Sequence, residues 1–307
     1  MKKTIALILA LVFIAALLTS CAAAAAPQPT PVAKDIMDET TDAMGQAIDT
    51  PAEFTADMTI ISTAPSITEI LFALGVGDQI IGVDASSNYP DAANAIEKIG
   101  DYSGFDIEKV IGLAPNLVFA GNGLQHEQIA TLKEAGIQVV SVEPTYYDDV
   151  AQSILLIGEQ VGKTNEAQAL VDSIAAVAAE VSAKSAAMAS HPTVYYAMTI
   201  GDSGYWTSGK GTFINTIIEM AGGVCVTAGS DVEWPEYSAE DLIAAEPDVL
   251  IVSSWVSEEA LLSDPVMSQL SAVKNGNYLF ISDDLINRPG PRIGETMTII
   301  QNFLLGE

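Results

Sequence analysis

The residues of this chain whose types could do chemistry point to binding rather than catalysis. Trp206, Trp234, Tyr102 and Arg288 stand in loops rich in Gly, Ser and Pro. Trp and Tyr present flat apolar area with a polar edge. Arg288 can pair with a ligand carboxylate or oxyanion, or stack on a planar group. Such a set suits a large planar ligand, although each Trp also has the ordinary reading of a core residue. Groupings for catalysis are missing from the sequence: there is no Ser elbow. Ser208-Gly209-Lys210-Gly211 resembles a phosphate loop only faintly, without the first Gly at the required spacing. The two His, His126 and His191, are far apart, which excludes a multi-His metal site of the zinc-receptor type. His126 falls in a surface helix pattern. Cys225 has no internal partner once Cys21 is assigned to a processing site, so it reads as a small buried hydrophobe and no disulfide is expected.

A second pair of residues stands out through repetition. Asp106-Ile-Glu108-Lys-Val-Ile-Gly-Leu-Ala-Pro115 and Ser238-Ala-Glu240-Asp-Leu-Ile-Ala-Ala-Glu-Pro247 share a capping residue, a Glu two places on, an apolar stripe, a Pro and a following buried strand. A Glu in a helix's first turn complements the macrodipole by about 0.3–1 kcal/mol, which would explain either one alone. The matched spacing adds a second reading, a docking surface addressed by two equivalent charges.

The elements that must hold these residues follow a β-α rhythm. Apolar runs at 60–61, 80–83, 117–120 and 137–142 suit strands covered on both faces. Ile67, Ile70, Leu71 and Leu74 form a helical stripe ended by Gly75 and Gly77. Ser66 and Glu69 are placed to form a capping box at its start. The connection from Asn88-Tyr89-Pro90 to Gly104 is long and polar, as ligand-bearing loops at strand ends are. Helices are predicted over 124–135, 148–161 and 164–188, the last with Ala169, Leu170, Ile174, Val177, Ala178 and Val181 along one side. A second unit then begins with a strand at 193–198, where Tyr195 and Tyr196 are expected to alternate between core and surface. A helix at 212–221 follows, then a helix capped by Ser238, strands at 248–252 and 278–281, the loop Asn287–Arg292 and a last helix at 293–305. The fold class is α/β: two Rossmann-like lobes bridged by one long α-helix, with a ligand cleft between them.

Charge and the N-terminus limit the setting. Lys and Arg number 12 against 40 Asp and Glu, a formal net charge of -28, which argues against a nucleic-acid partner. Lys2-Lys3 followed by an apolar run from Ile5 to Leu18 is a secretory signal. Residues 22–57 are rich in Ala, Pro, Thr, Asp and Glu without sustained period, a tether rather than a domain.

Several stretches in order resemble the long-helix solute-binding proteins of bacterial ABC importers, which take iron chelates, haem or cobalamin. They are APSITEILFALGVGD at 64–78, GFDIEKVIGLAPNLV at 104–118, the long helix, WTSGKGTFINTIIEMAGG at 206–223 and RPGPRI at 288–293. The tract from Thr207 to Pro235 looks most like the cobalamin-binding members. Leu18-Thr19-Ser20-Cys21 resembles a lipobox, which implies that Cys21 is lipidated. The resemblance implies a segment plan of signal peptide 1–20, lipidated tether 21–57, N-terminal lobe 58–145, connecting helices 146–190 and C-terminal lobe 191–307. It implies a monomer, lipid-anchored on the outer face of the cytoplasmic membrane, that captures a corrinoid or iron chelate and delivers it to an ABC permease dimer with its ATPase. No cofactor is expected beyond iron or cobalt within the ligand. The loops holding Ser66, Asn88, Tyr102, Trp206, Trp234 and Arg288 would face the cleft, and Glu108 and Glu240 would meet Arg residues on the permease subunits. Tyr102 stands where cobalamin binders often place a large aromatic, and Ser86 where they can place a Tyr, so the ligand stays open between corrinoid, siderophore and haem. A ligand-sensing surface receptor, or an enzyme on the same two-lobed fold, is the alternative.

One expectation can be tested directly. Lipid chains bind a bilayer by about 0.8 kcal/mol per buried CH₂, so Cys21→Ser should move the protein from the membrane fraction to the soluble one. Fractionation followed by immunoblotting reads this, and retention in the membrane fraction would count against the anchor.

Overall fold

The computed structural model describes residue 55 and residues 57–101, 104–121, 125–142 and 144–307. Cys21 and Tyr102 lie outside the described residues. The first half runs β1 (Ile60–Ser62), α1 (Pro65–Ala73), β2 (Ile80–Val83), β3 (Gly100–Asp101), β4 (Gly104–Phe105), α2 (Ile107–Leu113), β5 (Leu117–Ala120), α3 (His126–Glu134) and β6 (Gln138–Ser141). Four of these strands make a parallel sheet in the order β2-β1-β5-β6, while β3 and β4 form a small antiparallel pair. Helices α4 (Tyr147–Gln160) and α5 (Thr164–Ala186) follow.

The second half repeats the plan. It runs β7 (Thr193–Ala197), β8 (Tyr205–Trp206), α6 (Phe213–Met220), β9 (Val224–Cys225), β10 (Glu236–Tyr237), α7 (Ala239–Ala245), β11 (Val249–Ser253), α8 (Glu258–Ser263), α9 (Ser271–Lys274), β12 (Tyr278–Ile281), α10 (Asp283–Ile286) and α11 (Ile293–Leu305). Its parallel sheet has the order β12-β11-β7-β9, and β8 pairs antiparallel with β10. This is the expected two-lobed α/β fold.

Three local expectations are corrected. Ser66 does not cap α1: the N-cap is Ala64, with Pro65 in the first turn and no side-chain cap. Proline pre-sets the first helical φ and needs no N–H partner there, so a hydroxyl is dispensable. Glu69 is thereby released from any capping box. Tyr195 and Tyr196 do not alternate; both are buried, because helices cover both faces of the β7 sheet. On α5 the buried residues are Ala167, Ala178 and Val181, and Ala169 is exposed.

Helix α5 has 23 residues and is about 35 Å long, but it does not join the lobes alone. One apolar core runs from Ile60 and Phe119 of the first sheet, through Ile154 of α4, Val181 of α5 and Met297 of α11, to Val194 and Tyr196 of the second. Gln301 of α11 donates to the Val181 carbonyl at 2.6 Å, a side-chain bond in the middle of this layer. Separate apolar clusters cover the outer face of each sheet.

The internal repeat extends to the backbone. Asp106 and Ser238 cap α2 and α7 by accepting from Lys109 N and Asp241 N. Both helices end on a left-handed non-glycine residue, Ala114 at φ 48° and Glu246 at φ 40°. In the first lobe Asn116 Oδ1 accepts from Thr59 N at 2.8 Å and Thr59 Oγ1 at 2.9 Å. In the second, Asp248 Oδ2 accepts from Thr193 N and Thr193 Oγ1, both at 2.8 Å. Each lock clamps the start of one strand to the next.

These bonds hold the Asp248 carboxyl below its ordinary value, the Thr193 backbone N–H first and its hydroxyl second. A depressed folded-state pKa contributes stability above the unfolded pKa and loses it as pH falls through the folded one. Thr193→Val should therefore cost about 1 kcal/mol in urea unfolding at pH 7. The gap between variant and wild type should narrow as pH falls below the carboxylate range; a pH-independent gap would contradict the lock.

Candidate functional site

The loops that leave the C-terminal ends of β2 and β6 in the first lobe meet loops of the second lobe at a seam, the kind of place where open α/β folds take ligands. The seam is pinned along the β2 and β12 edges. Arg288, 8% exposed, donates from Nη1 to Glu69 Oε1 at 3.0 Å and to Asn88 Oδ1 at 2.9 Å. Its Nη2 donates to the Ser86 carbonyl at 2.9 Å and to Asp284 Oδ1. Arg292 grips the same carboxylate, Nε to Glu69 Oε2 at 2.8 Å, and its guanidinium lies 4.0 Å from the centre of the Tyr89 ring. Asn88 Nδ2 donates to Asp284 Oδ2 at 2.8 Å. A Cβ at Gly290 would lie 3.7 Å from the Ser66 carbonyl, so the Arg288–Arg292 loop sits on the first turn of α1.

Buried hydroxyls shape the loop after β2. Thr68 Oγ1 bonds Ser62 Oγ and Ser87 Oγ, both at 2.8 Å, and Ser87 donates to Asp84. Burial pushes the Asp84 carboxyl up, against the opposing pull of Ser87 and the Ser86 N–H. Lys98 is held in the same knot, donating to the Ser87 carbonyl at 2.6 Å. The knot presents Asn88 and Tyr89 outward; both are exposed.

The opposite edge of the seam is pinned more lightly. Tyr146, in the loop after β6, donates to Glu233 Oε1 of the second lobe at 3.0 Å, and that carboxylate raises the phenol pKa. Glu233 and Trp234 belong to the loop before β10, which runs beside Trp206 and the segment after it. Thr207 N donates to the Pro235 carbonyl at 3.1 Å, and Gly209 N to the Glu233 carbonyl at 2.6 Å. A Cβ on Gly209 would lie 1.9 Å from the Val232 carbonyl, so only glycine admits this approach. Behind the loops Ser208 Oγ donates to Asn215 Oδ1, Asn215 Nδ2 to Thr227 Oγ1, and Thr227 Oγ1 to the Ser208 carbonyl, at 2.7, 3.0 and 2.8 Å.

The six candidates thus fall into two groups with one outside. Ser66, Asn88 and Arg288 come together at the pinned edge, with Ser66 and Arg288 buried. Trp206 lies in β8, and Trp234, 42% exposed, precedes β10, the strand paired with β8. Tyr102 lies outside the described residues. Glu108 and Glu240 are exposed on α2 and α7.

Sequence reasoning missed Trp255, 78% exposed in the loop after β11. Its backbone N–H is held by Ser253 Oγ at 3.1 Å, and Ser253 and Ser254 both donate to the buried Asp283 carboxylate. The available signal was Ser253-Ser254-Trp255 directly after a buried strand. Tyr89 and Tyr146, each 45% exposed, complete the aromatic rim and were also overlooked.

Two α/β lobes joined through one apolar core, with loops from both meeting at a seam, have the architecture of a solute receptor. Residues 60–285 match the family model described as periplasmic binding protein, and the chain belongs to that family. The ABC transporter substrate-binding lipoprotein YvrC of Bacillus subtilis (strain 168) is 31% identical over 241 residues, which is 77% of this chain and 76% of that protein. A vitamin B12-binding protein of Vibrio vulnificus (strain YJ016) is 27% identical over 235 residues, 76% of this chain and 85% of its own length. The apo periplasmic heme-binding protein RhuT of Roseiflexus sp. RS-1 superposes with a TM-score of 0.71 at 25% identity, covering 81% of this chain and 98% of that one. The chain is an extracytoplasmic ABC-transporter substrate-binding protein, related to cobalamin- and haem-binding receptors, and its role is capture and delivery rather than catalysis.

Glu69 is the anion on which the pinned edge depends. Removing Glu69's charge breaks its buried pairs with both Arg288 and Arg292, and breaking a buried pair costs about 3–5 kcal/mol. Glu69→Gln should lower unfolding free energy by at least about 3 kcal/mol in denaturant titrations. A change below about 1 kcal/mol would show that the cluster is solvated rather than buried.

Proposed function

We propose that the seam captures a flat, amphipathic metal chelate that is neutral or cationic, with a corrinoid first among the candidates. The observation that carries this reading is the state of the basic groups at the pinned edge. Both Nη atoms of Arg288 are engaged by Glu69, Asn88, Ser86 and Asp284. Arg292 is committed to Glu69 and Lys98 to the Asp84 knot. Carboxylates, by contrast, stand exposed around the second lobe's loops at Asp202, Asp231, Glu233 and Glu236. An anionic ligand such as haem, with its propionates, would meet carboxylates here, and freeing an arginine would cost Glu69 one of its two buried ion pairs. A corrinoid rim carries uncharged amides, which need no counter-ion from the seam.

In this reading Trp255, Trp206, Trp234, Tyr89, Tyr146 and Tyr102 supply apolar contact, and Ser66, Asn88 and Arg288 fix the edge against which the ligand sits. The vitamin B12-binding relatives and the tract from Thr207 to Pro235 support the corrinoid; the heme-binding structural neighbours support a chelate of similar size. Glu108 and Glu240 dock the receptor on the permease, and Cys21 holds it at the membrane.

A charge series tests the proposal: cyanocobalamin, a cationic ferric hydroxamate, haem and a trianionic ferric catecholate, each titrated by calorimetry. Binding should favour the first two, and Trp255→Ala should weaken it at least about fivefold, as loss of an aromatic anchor does. Tight binding of the catecholate with none of cyanocobalamin would sink the reading.

A further inference from the structure

The two exposed glutamates have neighbours that the charge argument does not use. On α2, Ile111 and Gly112 stand three and four residues after Glu108; on α7, Ile243 and Ala244 stand three and four after Glu240. That spacing puts each trio on one helix face. Ile111 is 41% exposed and Ile243 37%, while the opposite faces, Val110 and Leu242, are buried. A large aliphatic residue exposed once needs no explanation, but here it recurs at the same step of a duplicated helix. Gly112 does not carry a positive φ, and a Cβ added there would have nothing within 4 Å. The fold itself therefore does not require a glycine at that point. Beside α7 a depression of about 450 Å³, lined by Pro235, Tyr237, Asp241, Ala244 and Ala245 among others, continues the surface.

We infer that each lobe offers the permease an apolar shelf, Ile111 with Gly112 and Ile243 with Ala244, against which one subunit of the permease dimer packs beside the Glu. The inference rests on the docking reading of Glu108 and Glu240. Duplication is what selects this occupant. One chain with two equivalent patches fits a partner that presents two equivalent surfaces, as a two-fold dimer does. A carboxylate beside an apolar residue and a small one reproduces an interface centre with a charged border: the aliphatic side chain enters the partner, and the small residue lets its backbone approach. The shared caps, left-handed ends and strand locks hold both shelves in the same pose on their lobes.

The test measures docking of the purified full chain to its own permease–ATPase complex in lipid nanodiscs by interferometry. The double variant Gly112→Trp with Ala244→Trp should weaken docking at least tenfold, and Ile111→Gln with Ile243→Gln at least fivefold. Thermal melting and cyanocobalamin titration should match the wild type in both, and Ile111→Leu with Ile243→Leu should dock normally. If both disruptive pairs dock like wild type while Glu108→Lys with Glu240→Lys does not, the shelf is overturned and the docking reading stands. If the Glu pair also docks normally, the docking reading falls and the shelf with it. Should the Trp pair melt early, the Gln pair at already exposed positions decides alone, normal docking overturning the shelf.

Discussion

A single buried carboxylate organises the junction of the two lobes. Glu69 sits in α1 of the first lobe and faces two guanidinium groups of the second. A lone ionised carboxylate at that depth would cost several kcal/mol, so its presence is tolerable only with both arginines in place. The arginines in turn need Glu69, Asp284 and the Ser86 carbonyl. The cluster thus works as a specificity device: any large change in lobe separation would expose its charges to a half-solvated, unpaired state. Together with a continuous apolar core through α4, α5 and α11, it ties the two lobes to each other.

How much of this was legible in the sequence depends on the range of the interaction. Strands and helices were placed by periodicity, because burial on one or both faces leaves a local pattern. The α2 and α7 helices were read correctly down to their caps, since Asp106 and Ser238 act three residues away. Ser66 and Glu69 misled for the same reason: their spacing fits a capping box, yet Glu69's partners are Arg288 and Arg292, more than two hundred residues on. No local rule separates a capping Glu from one reserved for a distant cation. Trp255 was missed because a tryptophan after a buried strand reads as core until the fold shows that the chain has left the sheet.

The duplicated architecture explains why a shared helix layer, rather than one helix, joins the halves. Each sheet needs cover on both faces, and the inner cover is common: α4 and α5 follow the first unit, while α6 and α11 return from the second. A lone α5 would leave most of its surface in water, as its few buried residues indicate. Packing α11 along it supplies the missing contact and brings the Arg288–Arg292 loop back onto the first lobe.

The distribution of tryptophan has an optical consequence. The chain has three Trp, at 206, 234 and 255, one in strand β8 and two in loops of the second lobe. Intrinsic emission excited at the indole band therefore arises from partly or largely exposed positions of the second lobe, with no tryptophan in either core. Corrins and porphyrins absorb where indole emits, so energy transfer to a bound chelate would darken the protein almost completely. Occupancy by the proposed chelate would then be followed in real time on the unmodified protein, without a dye or label.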